Sequence, residues 1–160
     1  MQNAWDILAD RGFIYQSTDA DAMRKLLGEG VQTFYVGFDP TGSSLHIGHL
    51  LPIMAMRWLQ KCGHRPLALV GGGTAMIGDP SGKMEARPIM TVETIDANVR
   101  SIQGQLARFL DFSEGGAQVV NNADWLRDLK FLDFLRDIGS LFSVNKMLTA
   151  ESVKMRLQTS

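Results

Sequence analysis

Cysteine, histidine and long apolar runs are scarce in this sequence. Its one cysteine, Cys62, cannot close an internal disulfide and is too few for a cysteine-based zinc site, which predicts a reducing, cytoplasmic setting. No apolar run approaches the roughly 20 residues that a membrane span requires. The start, MQNAWDILADRGF, has no basic flank before an apolar core and is not a secretory signal. A disulfide-rich secreted scaffold and a membrane protein are therefore excluded.

The sequence also lacks an excess of charge of either sign. Its 16 basic and 17 acidic residues give a formal net charge of -1, which provides no general attraction for nucleic acid, and we expect no DNA partner. What is present, 45% hydrophobic and 21% charged residues over 160 positions, is typical of one globular domain that folds in water.

Three short apolar runs rich in strand-forming residues predict β-strands at 33–39, 66–72 and 117–122. The first two have the composition of buried strands in a parallel sheet. Helical periodicity lies between successive runs. With right-handed crossovers, this order predicts an α/β fold, half of a doubly wound Rossmann-like parallel sheet with flanking helices.

Capping residues mark where the helices begin. Short amphipathic helices are predicted at 3–10 and 20–27, with Thr18 or Asp19 capping the second. Ser44 is the expected N-cap of the helix between the first two strands.

The helix before the third strand is expected from about Val92 to Leu110, with Thr91 as its cap. Beyond Asp124 the chain is mostly helical, with breaks near Gly139 and Asn145. These patterns divide the chain into an N-terminal helical segment (1–32), the first half of a Rossmann-like nucleotide-binding domain (33–122) and a helical connecting segment (123–160).

The glycine-rich stretch GGGTAMIGDPSGKM, residues 71–84, matches neither standard phosphate-binding loop. The pattern G-x-G-x-x-G fails because Met76 occupies the third glycine position. A P-loop fails because Ile77 and Met84 stand where a glycine and a Ser or Thr are needed. Two interpretations stay open: the glycines serve only tight turns and close packing, or they border a ligand.

The stretch YVGFDPTGSSLHIGHL places His46 and His49 on one face of a helix's first turn, directly after a strand. Gly48 between them lets a flat ligand lie close to the backbone. The helix N-terminus attracts anions, and imidazoles can donate hydrogen bonds to phosphoryl oxygens. Zinc fits poorly, because metal-binding helices usually space histidines four apart and His64 follows the helix end. The pair predicts a polyphosphate site and no metal site.

HIGH after GFDPTGSSL resembles the signature of class I aminoacyl-tRNA synthetases. Together with ALVGGGTAMIGDPSGK, it is similar specifically to bacterial tyrosyl-tRNA synthetases, and RFLDF and FLRDIGSLFSVNKML extend the resemblance along the chain. Tyr35 and His49 argue against the tryptophanyl relatives. The resemblance implies the catalytic fold of the class, with ATP-dependent activation of L-tyrosine to tyrosyl-adenylate and its transfer to tRNA(Tyr).

On the ATP side, the resemblance implies that His46 and Thr41 donate hydrogen bonds to the outer phosphates. It implies that Gly48 and His49 hold the ribose and adenine end, and that Asp39 positions the adenylate. The ATP-binding set is Asp39, Pro40, Thr41, His46, Gly48 and His49.

On the tyrosine side, the resemblance implies that the Tyr35 hydroxyl hydrogen-bonds the phenol group of the substrate. A site built around that bond would reject phenylalanine. It also implies that Asp79 accepts a hydrogen bond from the substrate ammonium group, with Thr74 lining the same pocket. Lys83 and Arg87 are implied to reach the leaving pyrophosphate. The implied tyrosine-binding set is Tyr35, Gly37, Asp39, Thr74 and Asp79, and the catalytic set is Thr41, His46, His49, Lys83 and Arg87.

The family's lysine-rich KMSKS loop is missing, since NKM at 145–147 is not its equivalent. The later strands, the helix that closes the tyrosine pocket and the anticodon-recognition domains are missing too. We therefore expect an N-terminal fragment with weak or no activity alone. The resemblance implies a homodimer for the full-length protein, formed through the segment after Asp124. It also implies contact with tRNA mainly through other regions, and Mg2+ that arrives with ATP rather than at a fixed metal site.

Two other classes stay open. An H-x-G-H nucleotidyltransferase uses the same helix to move an adenylyl group onto a phosphate acceptor, although Tyr35 and Asp79 count against it. A non-catalytic synthetase-like module for binding or assembly is the second. The substitution His46→Ala separates them, because it should abolish nucleotide-dependent chemistry and leave assembly untouched.

Overall fold

The structure is a computed structural model that describes residues 3–77, 90–149, 153–154 and 157. Strands and helices alternate as predicted. The elements are α1 (Ala4–Asp10), α2 (Ala20–Leu26), β1 (Thr33–Phe38), α3 (Ile47–Lys61), β2 (Arg65–Val70), a 3-10 turn (Thr74–Met76), α4 (Val92–Leu106), β3 (Gln118–Asn121), α5 (Ala123–Leu126), α6 (Phe131–Asp137), a second 3-10 turn (Gly139–Leu141) and α7 (Val144–Leu148).

The three strands form one parallel sheet in the order β1-β2-β3, which confirms the predicted α/β fold. The register places Tyr35 opposite Leu67 and Gly37 opposite Leu69, and Leu69 lies opposite Val120 in the second ladder. All three strands end at the same edge of the sheet. The loops that follow them therefore lie side by side.

The core lies on one face of the sheet. Phe38 and Ala68 from the strands pack with Ile53 and Met56 of α3 and with Ile102 of α4. Both crossover helices thus cover the same face, and each large side chain buried there contributes about 1.5 to 3 kcal/mol. The buried cluster consists of Phe38, Ile53, Met56, Ala68, Ile102, Leu106, Leu110 and Ala117.

The opposite face of β1 corrects the expectation of a buried first strand. Phe34, Val36 and Phe38 face the core, whereas alternate residues are exposed, Tyr35 with 68% of its surface accessible. The reason is that β1 is an edge strand and that, in the part of the chain described, both crossover helices pack on the other face. Among the described residues, Tyr35 therefore stands on a largely uncovered side of β1.

Two predicted helix caps are confirmed, and one helix end differs. The Asp19 carboxylate accepts from the Ala22 N–H (2.9 Å) at the start of α2, and the Thr91 hydroxyl accepts from the Thr94 N–H (3.3 Å) at the start of α4. The helix α4 ends at Leu106, earlier than predicted, because the chain then tightens into a turn held by bonds three residues apart.

The N-cap of α3 is His46, and the prediction of Ser44 is wrong. The Ser44 hydroxyl instead donates to the Leu45 carbonyl (3.0 Å), and the Gln105 side chain accepts from the Leu45 N–H (2.9 Å). These bonds keep the chain in a loop conformation, so the helix begins only at Ile47. The first histidine consequently takes a position that Ser, Thr, Asp or Asn usually occupies.

The segment after β3 is helical and exposes much apolar surface. The break predicted near Gly139 is confirmed by the second 3-10 turn. The break predicted near Asn145 lies slightly earlier, at Phe142 and Ser143, where the backbone is extended, and Asn145 itself lies in the first turn of α7. Exposed apolar residues here include Phe131, Leu132, Leu141, Phe142 and Val144.

Of the helices described, none is both long and apolar enough to cross a membrane.

The buried imidazole of His64 predicts a pH dependence of stability. Its side chain is 5% exposed, its Nδ1 accepts from the Gln32 N–H (3.2 Å), and burial lowers its pKa below the usual value of about 6.5. The unfolded chain therefore binds a proton more readily than the folded chain. The free energy of unfolding should fall as the pH drops through 6.5 toward the lowered pKa, and it should be level with respect to this group above 6.5.

Urea unfolding at pH values from about 5 to 8 measures this effect. The variant His64→Gln keeps a hydrogen-bond acceptor but does not titrate, so its stability should vary less with pH. His49, whose pKa is also lowered, contributes part of the remaining slope. Identical pH dependence in the variant and the unchanged chain would refute the assignment to His64.

Candidate active site

The loops that follow the three strands are joined to one another at the sheet edge. The Gly71 N–H donates to the Phe38 carbonyl (2.9 Å), and the Asn122 N–H donates to the Val70 carbonyl (3.0 Å). Each loop is thereby attached to the end of the neighbouring strand. The three loops therefore meet at one edge of the sheet, which is the edge where ligands of parallel α/β sheets bind.

The two histidines cap α3 reciprocally. The Nδ1 atom of His46 accepts from the Gly48 N–H (3.1 Å), and the Nδ1 atom of His49 accepts from the His46 N–H (3.1 Å). The centroids of the two rings lie 3.9 Å apart, with the planes tilted by 38°. The ring of His49 also lies 6.3 Å from that of Phe38. The first turn of the helix and the two imidazoles therefore hold one another in place.

These bonds determine where each imidazole carries its proton. A ring nitrogen that accepts from a backbone N–H is itself unprotonated, so in both rings the proton of the neutral form lies on Nε2. Burial lowers the pKa of His49 and the His46 ring lowers it further, and together they outweigh the opposing effects of the His46 backbone and of Asp39. His49 is therefore neutral near pH 7. Each ring offers one N–H donor at the N-terminus of α3, where the helix dipole favours anions.

Gly48 is needed by the His46 ring itself. A Cβ at position 48 would lie 2.9 Å from Cε1 and 3.0 Å from Nδ1 of that ring. A side chain would push the imidazole away from the N–H that it caps. From the sequence, Gly48 was interpreted as leaving space for a ligand. The structure shows a second reason for glycine here, which is close packing against the His46 ring.

The loop from β1 to α3 carries the predicted residues Asp39, Pro40 and Thr41 ahead of His46. Pro40 is buried, and its carbonyl accepts from Nδ2 of Asn98 on α4 (3.0 Å). Asp39 and Thr41, on either side of it, are exposed. The Oδ1 atom of Asp39 lies 3.3 Å from the point where a Cβ on Gly71 would be. The acid therefore lies between the histidine turn and the glycine-rich loop.

Two asparagines at the end of β3 hold the glycine-rich loop that follows β2. Oδ1 of Asn121 accepts from the Gly72 N–H (3.1 Å), and Oδ1 of Asn122 accepts from the Gly73 N–H (2.7 Å). Nδ2 of Asn122 donates to the Thr74 hydroxyl (3.2 Å). The position of Thr74 at the sheet edge is thus determined by side chains from the neighbouring strand.

Asn121 and Asn122 were not predicted as site residues from the sequence. The available signal was a pair of adjacent amides directly after a strand, beside glycine N–H groups that need acceptors once buried. Gly71, Gly72 and Gly73 are buried, and a Cβ on Gly72 would overlap the Asn121 side chain. Close packing therefore accounts for these three glycines.

Tyr35 and Gly37 lie on the open face of β1. Nothing lies within 4 Å of a Cβ built on Gly37, so the space above this strand is free in the described part of the chain. The other predicted residues, Asp79, Lys83 and Arg87, lie outside the described residues. The site as described thus consists of the histidine turn, the Asp39 loop and Thr74, next to an open sheet face.

This arrangement suits a ligand that is anionic at one end. Imidazole N–H donors and a helix N-terminus favour phosphoryl oxygens, while Asp39 beside them favours a hydroxyl or ammonium group. Within residues 3–77 and 90–149, no group of three or more His, Cys, Asp or Glu side chains is placed to hold a metal ion.

Comparison with known proteins identifies the family to which the chain belongs. Residues 29–160 match the family model of tRNA synthetases class I (W and Y). Tyrosine–tRNA ligase of Clostridium tetani is 57% identical over 156 residues, which are 98% of this chain and 38% of that protein. The Fusobacterium nucleatum protein of the same name is 53% identical over 158 residues, 99% of this chain and 39% of that one. The chain thus spans less than half the length of these relatives.

Two solved structures share the fold, both C-terminally truncated mitochondrial tyrosyl-tRNA synthetases. That of Aspergillus nidulans has a TM-score of 0.84 at 28% identity and is matched over 99% of this chain and 48% of its own. That of Coccidioides posadasii has a TM-score of 0.79 at 31% identity, over 99% and 46%. The chain belongs to the class I tRNA synthetases of the W and Y family, and its relatives place it with the tyrosyl members.

Proposed function

We propose that the chain provides the ATP- and tyrosine-binding part of a tyrosine–tRNA ligase. A carboxylate oxygen of L-tyrosine attacks the α-phosphorus of ATP, the bond from that phosphorus to the bridging oxygen breaks, and pyrophosphate leaves. The tyrosyl group of the adenylate then passes to the terminal ribose of tRNA(Tyr), and AMP leaves. The observation that supports this most directly is the reciprocally capped histidine pair, whose two Nε2 protons lie at a helix N-terminus.

On the ATP side, the Nε2–H of His46 and the hydroxyl of Thr41 donate hydrogen bonds to the outer phosphates. Such donors accelerate the reaction to the extent that their bonds strengthen as charge builds on the leaving group. Gly48 and His49 hold the ribose and adenine end. Asp39, between the two loops, positions the adenylate through its ribose and amino-acid parts.

On the tyrosine side, the phenol lies on the open face of β1 and bonds the Tyr35 hydroxyl. A site built around that bond disfavours phenylalanine, because buried polar groups would be left without partners. Thr74 lines the same pocket, and Asp79 is proposed to accept a hydrogen bond from the substrate ammonium group. Lys83 and Arg87 complete the site by meeting the departing pyrophosphate.

The remaining partners follow from the same proposal. Mg2+ arrives with ATP and supplies charge neutralisation for the phosphates. A second copy of the chain covers the exposed apolar residues of α6 and α7 to give a homodimer. The tRNA is contacted mainly outside these 160 residues, and the setting is the cytoplasm.

Exchange of labelled pyrophosphate into ATP tests the proposed reaction. The natural protein that contains this chain should catalyse exchange with tyrosine and not with tryptophan. The 160-residue chain alone should be slower by many powers of ten, because each missing transition-state contact costs about 2 to 4 kcal/mol.

Three results would contradict the proposal. Exchange that needs tryptophan would move the chain to the other branch of its family. Adenylyl transfer onto a phosphate acceptor would identify an H-x-G-H nucleotidyltransferase. Normal assembly without any ATP-dependent chemistry would identify a binding module.

A further inference from the structure

Three polar side chains of α4 form a stripe that faces the loop from β1 to α3. Asn98, Ser101 and Gln105 are spaced three and four residues apart and so share one side of the helix. The adjacent side of α4 carries Ile102 and Leu106, which are almost fully buried in the core. The polar stripe is therefore presented by a helix that packing holds in place.

The stripe hydrogen-bonds the backbone of the loop. The Ser43 carbonyl accepts from Oγ of Ser101 (2.6 Å) and from Nε2 of Gln105 (3.0 Å). Oε1 of Gln105 accepts from the Leu45 N–H (2.9 Å). The amide of Gln105 thus bonds both a carbonyl and an N–H of the loop. Asn98, 8% exposed, adds its bond to the carbonyl one residue before Thr41.

The loop has little else to define its shape. Among residues 3–77 and 90–149, no backbone–backbone hydrogen bond involves any residue from Pro40 to Leu45. Side chains of α4 supply backbone bonds at three places along this stretch instead. Thr41 lies inside the stretch and His46 directly follows it. The positions of both donors therefore depend on hydrogen bonds from a helix 58 to 62 residues away in the sequence.

We propose that Asn98, Ser101 and Gln105 are positioning residues for phosphate binding. They touch no ligand and act by fixing where the Thr41 hydroxyl and the His46 imidazole stand relative to ATP. The inference rests on the proposed function for the identity of the ligand. Its structural premise, that α4 defines the loop, stands separately. A displacement of about 1 Å in such donors can lower a rate by about 10²-fold.

The main test compares Gln105→Ala with Gln103→Ala in the natural protein that contains this chain. Gln103 is an exposed residue of the same helix, so the control makes the same chemical change without touching the loop. Gln105→Ala should lower kcat for tyrosine-dependent exchange about 10- to 100-fold and weaken ATP binding. The KM for tyrosine should stay unchanged. Gln103→Ala should match the unchanged protein in all three quantities.

A second pair of variants guards against simple loss of folding. Ser101→Ala removes one bond to the Ser43 carbonyl, and Ser101→Thr retains the hydroxyl. The alanine variant should lower kcat and the threonine variant should restore it, at temperatures well below the melting temperature of each. A role in stability alone would lower the melting temperature without this rescue of kcat.

The outcomes separate the inference from the proposed function. If the unchanged protein shows no tyrosine-dependent exchange, the proposed function fails, and ATP affinity measured by calorimetry still decides the inference. Weaker ATP binding in Gln105→Ala than in Gln103→Ala supports positioning. The inference would be overturned if Gln105→Ala and Gln103→Ala had equal ATP affinity and equal kcat. It would also be overturned if the unchanged protein did not bind ATP.

Discussion

His46→Asn is expected to lower tyrosine-dependent ATP–pyrophosphate exchange by about 10²- to 10³-fold while the protein remains as stable as before. Asparagine is a good N-cap, so it retains an acceptor for the Gly48 N–H. Its short amide has no donor where the Nε2–H of the imidazole stands. Exchange rates and melting temperatures measured on the same samples separate capping from catalysis.

Two further variants complete this test. His46→Ala should slow exchange by the same factor. It should also lower the free energy of unfolding by about 0.5 to 2 kcal/mol, because alanine removes the N-cap acceptor. His64→Gln changes a histidine away from the sheet edge and should leave the exchange rate unaltered. Near-normal exchange in His46→Asn would show that the site needs only the helix cap, and the donor role would have to be given up.

Gly72→Ala is expected to destabilise the chain by about 2 to 4 kcal/mol. The added Cβ would overlap the Asn121 side chain, whose Oδ1 accepts from both the Gly72 N–H (3.1 Å) and the Ala123 N–H (3.0 Å). Moving that amide leaves two backbone donors without their partner. Urea unfolding gives the loss in stability directly.

Gly104→Ala is the matched control for that substitution. Gly104 lies inside α4, and nothing stands within 4 Å of a Cβ built on it. Alanine there should stabilise the chain by about 0.5 to 1 kcal/mol, because glycine loses more backbone entropy in a helix. If Gly72→Ala is as stable as the unchanged chain, the asparagine contact does not restrict this position.

Local signals were sufficient for most of the fold. The strand at Thr33–Phe38 and the caps Asp19 and Thr91 depend on residues adjacent to them in the sequence, and the structure contains all three. The histidine turn was recognisable for the same reason, since two imidazoles and a glycine within four residues already define its chemistry.

The errors arose where distant residues decide a local conformation. Ser44 has every local property of an N-cap, but Gln105, from the next crossover helix, holds the loop and delays the helix. Asn121 and Asn122 matter only because the sheet register brings them beside the glycine-rich loop. The exposure of Tyr35 depends on which face both helices choose, and composition does not encode that choice.

The Nδ1 contacts of the histidine pair limit what kind of chemistry the pair can perform. With one nitrogen of each ring committed to the backbone, neither imidazole can pass a proton from one side to the other. The pair is therefore a set of oriented dipoles and not an acid–base relay. Added salt screens full charges far more than such dipoles. The contribution to nucleotide affinity that we propose for the pair should consequently persist at ionic strengths that weaken contacts made by lysine and arginine.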